Sequence, residues 1–307
     1  MKARSKRVNR FLKEELGKGI VSIVGYLIII LTFCLVFFIA SKGLTIFFKN
    51  HFSVTDFIFS KTWNPDRALE NGGPVVGALI FIIGSVAVSS LALLFSAPLS
   101  VAAAVFMTEI SPRIGNKVLQ PVIEIFVGIP SVVYGWVGLS VIVPFVRNYF
   151  SGHGFSVLAG GLVLAIMILP TITSVAADSF KRLPNDYKEA SLALGATRWQ
   201  TISKVLLPAA FPGILTGIVL GLARAFGEAL AVQMVIGNSI AIPGSILDST
   251  TTLTSIITMD MGNTPSGSIW NNALWTMALL LLMISFLFIV LIRKIGVKGG
   301  LENENEN

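Results

Sequence analysis

Cysteine is nearly missing from this chain: Cys34 is the only one in 307 residues, so no intrachain disulfide can form and a thiol site has no partner thiol. Cys34 lies within an apolar run, where packing in a core is the expected role. Histidine is almost as scarce. His51 and His153 are far apart and have no Cys or carboxylate at ligand spacing, which argues against a metal centre. Charge is also thin, at 13% of residues against 54% hydrophobic and a mean hydropathy of +0.80, which rules out an ordinary soluble domain. No G-x-x-x-x-G-K-[ST] occurs; "LGKGI" at 16–20 lacks the first glycine and the hydroxyl residue, so the chain is not expected to hydrolyse ATP by itself. No nucleophile–base set stands out either, which speaks against a membrane enzyme.

What the chain has in abundance is long apolar runs. Uncharged or nearly uncharged stretches at 20–41, 75–108, 118–146, 155–177, 209–236 and 271–292 are each long enough to cross a hydrocarbon core of about 30 Å. Six spans make this an all-α polytopic membrane protein. The basic residues 1–19 followed by 20–41 resemble a signal peptide, but 22 uncharged residues exceed an h-region and no small-x-small cleavage site follows, so an uncleaved first span is expected. The second run, with Pro98 inside it, is expected to kink or to extend beyond the bilayer. Pro121, Pro130, Pro144 and Pro170 fall in the third and fourth runs, and irregular helices are tolerable in lipid only where neighbours or a water-lined path satisfy the freed backbone groups.

Orientation follows from lysine and arginine. With the N-terminus cytoplasmic, the inner segments hold 7 (1–19), 2 (109–117), 5 (178–208) and 3 (293–307), 17 in all. The outer segments 42–74, 147–154 and 237–270 hold 5, the last of them none, and Arg224 falls inside a span. That bias predicts N-in and C-in, and it accounts for the net charge of +7 without a nucleic-acid partner. No long internal repeat is visible, which weakens an inverted-repeat carrier. The tail "LENENEN" is expected to be disordered.

Between the fourth and fifth runs lies "LPNDYKEASLALGATRWQTISKVLLP" (183–208), too patterned for a plain turn. Pro184, Asp186 and Glu189 read as a helix start and Gly195 as its stop; Thr197 with Gln200 has the capping-box form, and Pro208 marks entry to the next span. Two short helices around a glycine result. Tyr187, Ala190, Ser191 and Leu194 share one face of the first, and Trp199, Ile202 and Val205 or Leu206 one face of the second. Such a face is covered either by the protein's own membrane domain or by a partner's groove.

Glu189, Ala190 and Ser191, then Gly195 six residues after the glutamate, then Val205 and Leu207-Pro208, resemble the EAA loop of ATP-binding-cassette importer permeases, with Ser191 in place of the second alanine and Val205 in place of isoleucine. Together with "GIPSVVYG" (128–135), "MILPTITSVAADSF" (167–180) and "ARAFGEALAV" (223–232), the chain over roughly 75–292 resembles the phosphate-specific (Pst) importer permeases of the PstC type. The resemblance implies a MetI-like fold in a prokaryotic plasma (inner) membrane. It implies as partners a second permease subunit of the PstA type, two ATP-binding subunits that hold ATP and Mg, and a periplasmic or lipid-anchored phosphate-binding protein. It implies no cofactor on this chain, and ATPase coupling through Glu189, Ala190, Ser191, Gly195, Leu207 and Pro208. The expected organisation is a basic arm (1–19), a first helix with outer loop (20–74), a permease core of five spans (75–292) and a cytoplasmic tail (293–307).

Arg224, in "GLARAFGEALAV" (221–232), lies about 15 residues into its run and beyond snorkelling reach of either end. An unpaired arginine there costs at least about 2.5–3.5 kcal/mol. Glu228 at i+4 is expected to pair with it on one helical face, Glu124 being a further candidate, while Gly221 and Gly227 would admit another helix or a ligand. A brace between helices and a transient oxyanion site are both open readings; guanidinium donors suit phosphate oxygens, and hydrogen phosphate, unlike sulfate, can donate to Glu228. At the level of function the alternatives are an importer permease for another oxyanion and a self-contained ion-coupled anion transporter. Asp248 and Asp260 in the outer loop are expected to be solvated, and Glu109 and Arg113 to flank a cytoplasmic turn.

Overall fold

The computed structural model describes residues 2–68, 70, 72–150 and 152–305, with side-chain surroundings for those between 17 and 294. In chain order it contains α1 (Lys2–Gly43), α2 (Thr45–Phe48), α3 (Val54–Phe59), a two-residue antiparallel ribbon of β1 (Trp63–Asn64) and β2 (Val75–Val76), then α4 (Leu79–Val105), α5 (Pro112–Ile114), α6 (Gln120–Gly128), α7 (Ser131–Val137) and α8 (Val143–Tyr149). It continues with α9 (Val157–Lys181), α10 (Asn185–Ala193), α11 (Arg198–Thr201), α12 (Leu207–Gly227), α13 (Leu230–Ile236), α14 (Leu253–Asp260) and α15 (Ile269–Asn305). Among the described residues, six helical stretches are long and apolar enough to span a membrane: 17–48, 79–110, 131–149, 157–181, 198–227 and 269–294.

The fourth span is the hub. Its most apolar window is 72% buried, against 0% for the first span, which stands outside the bundle. Small residues make this possible: a Cβ on Gly221 of α12 would come within 2.6 Å of Ile172 on α9, and one on Gly161 of α9 within 2.8 Å of Leu91 on α4, so glycine lets the backbones approach. Three apolar clusters stack along the bundle. One, around Leu253, Phe81 and Leu274, gathers α2, α3, α14 and α15 at the outer end. A second fills the middle around Ile168, Val88 and Val235, and a third, around Ala176, Phe180, Ile202 and Leu206, closes the end that carries the basic loops.

Several expectations are corrected by the structure. The third run is not one helix: α6 stops at Gly128, Ile129 is extended (φ −71°, ψ 129°), and Pro130 starts α7. The residue before a proline is driven out of the helical region, and proline itself offers no N–H to continue the ladder. Cys34 is exposed rather than in a core, because among its described residues α1 packs on the rest of the chain near its C-terminal end, where Phe38 stacks edge-on against Trp275 and Thr276 donates to the Gly43 carbonyl. The tail expected to be disordered continues α15 as far as Asn305, since adding a residue to an existing helix avoids the cost of nucleation; Glu306 and Asn307 lie outside the described residues, as do the side chains of most of the basic arm.

Of the two outer acids, Asp248 is exposed as expected, whereas Asp260 is partly buried. Asp248 Oδ2 accepts the backbone N–H groups of Gly244 (2.9 Å) and Ser245 (2.8 Å), closing a turn. Asp260 accepts from the Trp270 indole at 3.2 Å and from that of Trp63, tying the ribbon to α14 and α15. Burial pushes the Asp260 carboxyl above its ordinary value of 3.8, while the two indole hydrogen bonds pull it down. A raised value means that the folded state binds the proton more tightly than the unfolded one, so this contribution is complete below pH 3.8 and is lost as pH rises through the raised value. Asp260→Asn keeps an acceptor for both indoles without the charge. It is expected to raise the melting temperature at about pH 7 and to leave it unchanged near about pH 3.5; thermal unfolding in detergent across that range checks this.

Candidate functional site

Arg224 does not sit in the middle of a continuous helix. The run 209–236 is interrupted: α12 ends at Gly227, Glu228 is extended (φ −76°, ψ 125°), and α13 starts at Leu230. Glu228 is therefore not one helical turn beyond Arg224, and among the described residues no ion pair joins them. Arg224 Nη1 instead donates to Thr171 Oγ1 on α9 at 3.0 Å. Thr171 is 14 residues from Val157 and 10 from Lys181, about 21 Å and 15 Å along the span, so the contact is mid-membrane. Arg224 occupies the last turn of α12, where the carbonyl pole of the helix favours a cation. Glu124 is engaged elsewhere, accepting from Gln120 Nε2 at 2.9 Å.

Glu228 repairs the break. Its Oε1 accepts the Ala231 N–H at 3.1 Å, covering one of the exposed donors at the start of α13, and its backbone carbonyl accepts the Thr254 hydroxyl at 2.8 Å. A second interruption is treated the same way: the Tyr134 hydroxyl on α7 donates to the Phe126 carbonyl at the end of α6, at 2.7 Å. The two breaks are neighbours. Gly135 on α7 lies against Ala231 and Met234 on α13 with no room for a Cβ, and Tyr134 is within electrostatic range of Arg224. Arg224 and Glu228 are both partly exposed, and Gly227 between them has nothing within 4 Å of where a Cβ would be. The arrangement can present guanidinium donors and one carboxylate oxygen to an anion. Gln233 Oε1 on α13 is buried without a hydrogen-bond partner among the described residues.

The loop 183–208 folds largely as its pattern predicts. Pro184 precedes α10 without a side-chain cap, Gly195 takes the left-handed φ of +84°, and both hydrogen bonds of the Thr197–Gln200 capping box form. Here too one boundary moves: α11 does not stop at Pro208 but runs through a wide turn at 202–206 into α12, a single helical stretch from Arg198 to Gly227. The mixed face divides. Ile202 and Leu206 are buried in the inner cluster, whereas Leu194 (89% exposed), Trp199 (66%) and Tyr187 (48%) project from the chain. Glu189, Ala190, Gly195 and Pro208 are exposed, and Ser191 and Leu207 partly so, Ser191 Oγ lying 2.9 Å from Thr201 Oγ1 across the hairpin. Sequence reasoning missed Thr171, whose only signal was its place after Pro170. It also missed that Glu109, which flanks the turn as expected, is bound by Lys188.

Replacing Thr171 by Val leaves the guanidinium without its one partner among the described residues. The expected loss of stability is about 1.5–3 kcal/mol, the range for hydrogen bonds to charged groups, with Thr171→Ser close to wild type. Equilibrium unfolding of the purified protein in detergent measures the difference.

Residues 96–296 match the family model described as binding-protein-dependent transport system inner membrane component. The chain is 55% identical over 290 residues, 94% of its own length and 93% of the relative's, to the probable ABC transporter permease protein YqgH of Bacillus subtilis. It is 34% identical over 257 residues, 77% of each chain, to the phosphate transport system permease protein PstC of Xylella fastidiosa. Among solved structures, an inward-facing MetNI methionine ABC transporter gives a TM-score of 0.54 at 21% identity, covering 72% of this chain and 96% of that one. A bacterial ABC transporter that imports alginate gives 0.63 at 13% identity, covering 94% and 98%.

Proposed function

The chain belongs to the inner membrane components of binding-protein-dependent ABC importers, and from that premise we propose that it is the PstC-type half of a phosphate importer's translocation pathway. As a member of that family it is a multi-pass inner-membrane permease without catalytic residues of its own, working with ATPase subunits and a binding protein. Membership favours this over the ion-coupled carrier. The finer reading pairs the chain with a PstA-type permease, two ATP-binding subunits and a phosphate-binding protein. It places both termini in the cytoplasm, 75–292 as the permease core and 183–208 as the loop that docks the ATPase.

The observation that carries the choice of an oxyanion is Arg224, held at mid-membrane by Thr171 where two interrupted helices meet, with the rest of its donors uncommitted among the described residues. Guanidinium remains charged at any working pH and its fork matches phosphate oxygens. Glu228 spends one carboxylate oxygen on Ala231 and keeps the other for a ligand that still carries a proton. Hydrogen phosphate meets that condition and sulfate does not. The phosphate permeases among the relatives support the same choice.

Reconstituted uptake tests the reading. Glu228→Gln retains the acceptor for Ala231 but not the charge, so phosphate transport should survive with its preference over sulfate reduced; an unchanged preference would remove Glu228 from the selectivity argument. Arg224→Lys replaces a fork by a point charge and should lower phosphate uptake by roughly tenfold or more, equivalent to about 1.4 kcal/mol. For the docking loop, Gly195→Asp or Glu189→Lys should abolish co-purification of the ATP-binding subunits.

A further inference from the structure

Glu109 is the point where both helices of the docking hairpin are fastened to a span other than their own. It lies in the wide turn 106–110 that ends α4, with its side chain only 12% exposed. From α10, Lys188 Nζ reaches Glu109 Oε2 at 2.8 Å; from α11, Arg198 Nη2 donates to the Glu109 backbone carbonyl at 2.9 Å. The seat is rigid. The Ser111 N–H closes the turn on the Phe106 carbonyl at 2.8 Å, and Gly115 approaches the Met107 backbone too closely for any side chain, while the hairpin is cross-tied by Ser191 and Thr201.

Through α4 the fastening reaches the middle of the membrane. Helix α4 packs along α9, and the Ser100 hydroxyl of α4 donates to the Leu169 carbonyl of α9 at 3.1 Å, two residues before Thr171. The hairpin therefore has two mechanical routes to Arg224: the covalent one along α12, and a second through Glu109, α4 and α9.

We infer that Glu109 is a positioning residue for transport, a clamp through which Lys188 and Arg198 transmit movement of the docking hairpin to α4, so that α4 and α12 move together. This rests on reading 183–208 as the ATPase-docking loop. An ion pair at this degree of burial, backed by a second charged hydrogen bond, is better placed to carry load than an exposed surface pair. Removing the Glu109 carboxylate leaves α12 attached and reduces this tie to α4 to the Arg198 bond on the backbone carbonyl, so ATP is consumed without a full change of access.

The test uses the complete complex in proteoliposomes, reading phosphate uptake and ATP hydrolysis together, with co-purification of the ATPase subunits as a separate readout. Glu109→Lys should lower phosphate taken up per ATP by about tenfold, the scale of a broken half-buried charge pair, while the ATPase subunits still co-purify. Glu109→Gln, which keeps a neutral acceptor for Lys188, should fall between that variant and wild type; the Arg198 bond to the backbone carbonyl is common to all three. Adding Lys188→Glu to Glu109→Lys should restore the ratio to within about threefold of wild type. A wild-type ratio in Glu109→Lys, or loss of the ATPase subunits from it, overturns the clamp. Retention of those subunits by Gly195→Asp overturns instead the docking assignment beneath it.

Discussion

A helix that stops inside a hydrocarbon layer leaves N–H and C=O groups that no water can reach, and each costs several kcal/mol if unmatched, on the order of half of a domain's net stability. The organisation of this bundle follows from meeting that cost twice in one place. Tyr134 covers a carbonyl at the first interruption, Glu228 covers an N–H at the second, and Thr254 covers the carbonyl of Glu228. Once the breaks are repaired by side chains, Arg224 can stand at a helix terminus whose own dipole favours it, with a hydroxyl from the central span as partner. The polar centre of the molecule is thus a consequence of broken helices, and the broken helices are stable because the polar centre exists.

How much of this was legible in the sequence depends on the range of the interaction. Hydropathy gave the six spans, since each run is a local property, and local rules gave the Thr197–Gln200 capping box and the left-handed Gly195. Periodicity failed at 228 because "GLARAFGEALAV" contains no proline; what ends α12 is the contact of α13 with α7, through Gly135, and of Glu228 with Thr254, both distant in sequence. Pro130 carries a warning of irregularity, but the composition stays apolar across the break and so does not mark where one helix ends and the next begins. The partners of Arg224 and Glu109 lie 53 and 79 positions away, and no spacing rule reaches that far.

The two relatives and two solved structures divide the problem in the same way. Likeness at 13–21% identity with TM-scores of 0.54 and 0.63 means that the scaffold is shared by importers of methionine and of alginate, so the scaffold cannot choose a cargo. On the proposed reading, that choice falls to a few side chains at mid-membrane and to the binding protein. A chemistry-specific arrangement of one guanidinium and one carboxylate is small enough to be grafted onto such a scaffold without altering its packing.

The unbroken stretch from Arg198 to Gly227 also has a geometric meaning. At 1.5 Å per residue Arg224 is about 39 Å from Arg198, so a tilt of only about 5° about the cytoplasmic end swings it by about 3.4 Å. That exceeds the 3.0 Å length of its hydrogen bond to Thr171. A rotation of that size directed away from α9 would therefore be enough to detach the guanidinium, the length of the rod rather than any large rearrangement supplying the gain.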